Sequence, residues 1–123
     1  MASLIDTCVL IDLLRGSEQA SQTLNALRVP AYVSGVSVTE LFAGVRSQKD
    51  EIMAERLLAA FRKAETSDLV WRVAGHNLRH YGSSHAIGTA DAIIAATAEV
   101  HGLELLTLNI EHFPMFKRLR AAY

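Results

Sequence analysis

A single cysteine, Cys8, stands in the 123 residues, so no internal disulfide can form and nothing in the chain asks for an oxidising compartment. Beside apolar neighbours on the first amphipathic stretch, that thiol reads as buried packing rather than as a nucleophile. A basic excess is also missing: twelve Lys and Arg against thirteen Asp and Glu leave a net charge of -1. Nucleic-acid binders ordinarily show a basic surplus, so global charge argues against such a surface unless the basic residues gather on one side. No apolar run approaches the ~18 residues of a membrane span. The N-terminus lacks the basic segment and long apolar stretch of a secretory signal. Linkers, internal repeats and low-complexity segments are absent too. The expectation is one globular domain over residues 1–123, cytoplasmic and without membrane contact, long enough for one core and too short for two. With half its residues hydrophobic and a fifth charged, the chain has the balance of a folded protein rather than a disordered one.

What is present begins with MASLIDTCVLIDLLRG. Ala2, Leu4 and Ile5 read as a short buried strand, and Asp6 stands where the period switches to helical. Val9, Leu10, Leu13 and Leu14 then share one helical face, which Gly16 ends. A second helix over Ser17–Arg28 stops at Pro30. Ala31, Tyr32, Val33 and Val36 predict a second strand interrupted by Gly35, and Ser37 opens the helix SVTELFAGVRS. Gln48–Lys63 is amphipathic through Ile52, Met53, Leu57, Leu58 and Phe61. Ala64–Asp68 reads as a brief strand, and Asp68 opens a helix closed by Gly82. Ser83–Gly88 is a loop. Thr89 starts TADAIIAATAEVHG, whose alanine-rich face suits close packing on a sheet. Leu103, Leu105, Leu106 and Leu108 form a last strand ending at Asn109. Short apolar strands alternating with helices predict an α/β fold with a parallel β-sheet flanked by helices.

The strand carboxyl ends of a parallel sheet share one edge, which gathers Asp6, Thr7 and Asn109, with Glu40 one turn beyond the second strand. Asp91 arrives in the first turn of a later helix. Each has an ordinary explanation. Asp6 suits a helix N-cap, Ser37 to Glu40 matches a capping box, and Asp91 suits the positive end of a helix dipole. Jointly those explanations cover less. Carboxylates meeting at one apolar-walled edge repel and are costly to desolvate, and a divalent cation relieves that cost. Hard oxygen ligands favour Mg²⁺ or Mn²⁺ over zinc.

The blocks LIDTCVLIDLLRG, SVTELFAGV, GTADAIIAATA and LLTLNIEHFPMF resemble, in order and over nearly the whole chain, the signature blocks of PIN-domain proteins, and most closely the VapC-type toxins of bacterial toxin–antitoxin pairs. The resemblance implies a metal-dependent endoribonuclease acting on structured RNA, with Asp6, Glu40 and Asp91 as the acidic metal-site residues and Thr7 as a supporting hydroxyl. It further implies a homodimer and a cognate VapB-type antitoxin that covers the acidic pocket. Asn109 lies where many relatives carry a fourth acid, and His112 where others place an aspartate. Neither is acidic here, so the set of three acids and one amide implies one well-held metal, with any second arriving with substrate phosphate. Ser17–Leu27 and Gln48–Phe61, sparse in polar cover, are expected to supply the groove for an antitoxin helix.

Two rival functions fit the same blocks: a non-catalytic RNA- or partner-binding PIN module, which the missing fourth acid favours, and a metal phosphatase acting on small substrates. His76 and His80 have zinc-compatible spacing but no third ligand nearby. Lys117, Arg118 and Arg120 form a basic tail that suits phosphates or plain solvation, and Trp71 reads as core or interface.

Overall fold

The computed structural model describes all 123 residues. Four short strands, β1 (Ser3–Ile5), β2 (Ala31–Ser34), β3 (Arg62–Ala64) and β4 (Glu104–Leu106), form one sheet in the order β3-β2-β1-β4. All pairings are parallel, with Leu4 opposite Tyr32 on one side and Leu105 on the other. Six helices connect them: α1 (Thr7–Leu14), α2 (Glu18–Asn25), α3 (Gly35–Ala43), α4 (Gln48–Leu58), α5 (Asp68–His85) and α6 (Thr89–His101). A single 3₁₀ turn, Ile110–His112, follows β4. The expected α/β fold with a helix-flanked parallel sheet is what forms, and no helix is long and apolar enough to cross a membrane.

β1 organises the molecule because all three of its residues are buried. Side chains alternate across a strand, so Leu4 joins Ile94, Ala95, Ala98, Leu105 and Phe113, while Ile5 joins Val9, Leu10, Val33, Leu41 and Ala54. The sheet is thus covered on both faces, as parallel sheets require. α6 lies close to it because Ala95 and Ala98 present methyl groups to Leu4 and Leu105 where larger side chains would hold the helix away, while Ala92 and Ala96 do the same towards α5. From β1 the chain builds outward to β2 and β3, then crosses back to lay β4 on the other side of β1. The strand order therefore reverses between β1 and β4, the kind of place where open α/β sheets form a ligand crevice.

Several boundaries differ from the sequence expectation. β2 ends at Ser34, whose hydroxyl accepts from the Val36 N–H at 3.3 Å and caps α3. Ser37 is therefore inside the helix, and the expected Ser37–Glu40 capping box does not form. α4 stops at Leu58, and β3 is Arg62–Ala64 rather than Ala64–Asp68. Its register opposite Tyr32–Ser34 buries Ala64 and leaves Arg62 and Lys63 outside, so an edge strand carries charges that read as a helix end. α5 continues through Gly82 to His85, and its left-handed terminator is Ala86, at φ 53°. Gly16 and Gly102, both at positive φ, end α1 and α6 as their positions suggested. The last strand is only Glu104–Leu106, because the chain turns at Thr107.

Candidate active site

Asp6 follows β1 directly and starts α1 in an extended conformation, φ -70° and ψ 154°. At 3% exposure its carboxylate needs donors inside the protein. Oδ1 accepts from the Thr7 N–H at 2.8 Å, and Oδ2 accepts from the Thr107 hydroxyl at 2.7 Å. The Cys8 thiol also lies on Oδ2, at 3.4 Å. Burial, followed by the negative charge of Asp6, raises the Cys8 pKa above its ordinary value, so the thiol stays protonated and serves as a weak donor. The capping expectation for Asp6 holds, but the cap uses one oxygen and Thr107 controls the other.

The Thr7 side chain ties this acid to the next. Its Oγ1 lies 2.6 Å from Glu40 Oε1 and 2.9 Å from Ser37 Oγ. One hydroxyl proton serves one acceptor; the carboxylate has no proton of its own and takes it, so Ser37 donates to the Thr7 oxygen. Ser37 is fully buried one turn before Glu40 on α3. Glu40 itself is exposed, held through Oε1 alone.

Asp91 enters from α6. Asp91 lies in the first turn of α6, where the Gly88 backbone at the helix start favours its charged form. The Asp91 pKa lies above its ordinary value, first because of burial. His112 opposes that rise, while the charges of Asp6 and Glu40 add to it. Three acids from three elements therefore share one field. His112 Nδ1 stands 3.3 Å from Asp91 Oδ2.

The structure brings Asp6, Glu40 and Asp91 to one rim but not into one tight shell: no three His, Cys, Asp or Glu side chains stand close enough to grip a single ion. The oxygen-only donor set still suits Mg²⁺, which commonly keeps several waters and uses one or two carboxylates together with substrate phosphates. Asn109 takes part through its main chain, its N–H donating to Thr107 Oγ1 at 3.0 Å; its side chain caps nothing.

Sequence reasoning passed over Thr107, hidden in a leucine-rich run, and assigned Ser37 to a cap. The signal for Thr107 was a lone hydroxyl on a buried strand end at the same sheet edge as Asp6. The His76 and His80 rings stack 5.9 Å apart on the exposed face of α5. Trp71, half exposed, is not core.

An open parallel sheet with a buried acid at its switch point, and further acids carried in by helices, defines the class. The PIN domain profile matches residues 3–120, and the chain belongs to the PIN-domain family. Within that family it is a VapC-type protein, similar to Ribonuclease VapC10 of Mycobacterium tuberculosis, at 43% identity over 98% of this chain and 92% of that one. It is also similar to Ribonuclease VapC19 of the same organism, at 38% identity over 98% of each chain. Among solved structures, a toxin–antitoxin complex from Klebsiella pneumoniae superposes with a TM-score of 0.84 at 28% identity, covering 98% of each chain.

Proposed function

We propose that the whole chain, residues 1–123, is one PIN domain acting in the cytoplasm as a Mg²⁺- or Mn²⁺-dependent endoribonuclease, the toxin of a VapBC-type pair that cuts structured RNA such as tRNA or rRNA. The observation that carries this is Asp6, buried at the switch point with both oxygens held by donors and in electrostatic contact with Asp91 across the crevice. Ribonuclease relatives at 38–43% identity support the activity.

In this reading Asp6 and Asp91 hold the ion through carboxylate oxygens. Such an ion, when bound, lowers the pKa of a coordinated water and neutralises charge on phosphoryl oxygens. Glu40, fixed at Oε1 by Thr7, keeps Oε2 to take the proton from the attacking water. Thr107 and the Thr7 N–H keep Asp6 from turning.

An antitoxin partner and a homodimer complete the proposal, supported by the likeness to a toxin–antitoxin complex. The groove that suits an antitoxin helix is a cleft of about 260 Å³ between α1, α3 and α4, lined by Ile11, Leu14, Leu41, Val45 and Met53 and ending at Glu40. Of the two expected segments this cleft draws on Gln48–Phe61 through Asp50 and Met53, while α2 does not line it and Leu57 and Leu58 pack against the core.

The test is cleavage of total RNA by antitoxin-free protein with Mg²⁺ or Mn²⁺, beside an Asp91→Asn control. Discrete fragments lost with EDTA and with Asp91→Asn are expected. The loose spacing of the three acids favours the second reading, a non-catalytic RNA- or partner-binding module, and intact RNA from folded, metal-loaded protein would select it.

A further inference from the structure

His112 is the one basic side chain paired with any of the three acids. Its place is set by the core rather than by chance. Phe113, the next residue, is 1% exposed and packs with Leu4, Ile94 and Leu105. The His112 N–H donates to the Asn109 carbonyl at 3.0 Å, and the Asn109 N–H holds the Thr107 hydroxyl that in turn holds Asp6. The turn bearing His112 is therefore braced from the same strand end that fixes the first acid. From that turn, Nδ1 reaches Asp91 Oδ2 at 3.3 Å.

A carboxylate on a helix start can rotate and present either oxygen or both. A donor on one oxygen removes that freedom and leaves the other for an ion, as partners behind metal ligands commonly do. We infer that His112 is a positioning residue for the acidic site: with Nδ1 3.3 Å from Oδ2, it occupies that side of the carboxylate and commits Asp91 to binding an ion through its remaining oxygen. The inference rests on the metal-site reading given above and extends it to the way Asp91 is held.

Mn²⁺ binding to the intact protein, read by electron paramagnetic resonance and calorimetry, tests it without reference to cleavage. His112→Ala should weaken Mn²⁺ by about 10- to 100-fold, the usual cost of losing a partner behind a ligand. His112→Asn, whose amide N–H can stand near the position of Nδ1, should recover most of that loss. Affinity for His112→Ala within twofold of wild type, or tighter, would overturn the inference, as would equal losses in the Ala and Asn variants. Asp91→Asn separates the two levels. If it leaves Mn²⁺ affinity unaltered, the metal site itself is wrong; if it abolishes binding while His112→Ala changes nothing, only the role of His112 is wrong.

Discussion

The Thr107 hydroxyl donates to Asp6 Oδ2 at 2.7 Å, joining the ends of β4 and β1 across 101 residues of sequence. Both groups are buried, Thr107 completely. Thr107→Val keeps the shape and removes the donor, so the buried carboxylate loses a partner. Stability should fall by about 1.5–3 kcal/mol, the range for hydrogen bonds to charged groups, and Thr107→Ser should restore most of it. Urea denaturation of the three proteins reads the difference, and equal midpoints for all three would refute the role.

Asp91 gives a pH and metal prediction with a definite sign. Its pKa is raised in the folded protein above the ordinary value of 3.8. The folded state therefore binds more protons than the unfolded chain just above pH 3.8, and this group's contribution to stability falls as pH rises through that window. At neutral pH its ionised form is a net cost in the metal-free protein. Asp91→Asn should then melt at or above the wild-type temperature in EDTA, and Mg²⁺ should raise the melting temperature of wild type only. A Mg²⁺ response preserved in Asp91→Asn would remove this residue from the metal site.

Ala86 ends α5 at φ 53°, where a side chain is disfavoured. Ala86→Gly relieves that conformation, offset in part by the greater freedom of glycine in the unfolded chain. A net gain of about 0.5–1 kcal/mol is expected, and Ala86→Val should lose stability. Thermal unfolding reads both, and activity should be unchanged for glycine.

On α4, Met53 is 40% exposed and lines the same cleft as Glu40, and its chain neighbour Ile52 is 42% exposed. Large apolar groups left open beside a groove mark an interaction surface. Met53→Lys should weaken antitoxin binding by roughly tenfold or more, the effect of placing a charge against an apolar helix face, with the melting temperature unchanged. Leu57→Lys should instead destabilise the fold, since Leu57 packs against the core. Titration with purified antitoxin distinguishes them.

Much of this was legible in the chain because its signals are local. The period switch at Asp6, the glycines after α1 and α6, and the alanines of α6 each follow from a few neighbouring residues. What escaped depends on distant partners. Thr107 looked like one polar residue in a leucine run, because its meaning lies in an aspartate at the other end of the chain. Ser37 matched a cap by spacing, yet Ser34 took that role and left Ser37 to brace Thr7. β3 carries Arg62 and Lys63 on a sheet edge, where register, not composition, makes a strand. His112 read as a missing acid, and only the folded turn shows it beside Asp91.

The central position of β1 has a consequence for synthesis. Its neighbour β4 and the hydroxyl of Thr107 are made about a hundred residues after Asp6. At ~5–20 residues per second, a ribosome needs on the order of 5–20 s to cover that distance. During that interval a nascent chain carries Asp6 without the strand or the donor that fixes it, and Asp91 without the ring of His112. The acidic rim is complete only once Thr107 and His112 have left the exit tunnel.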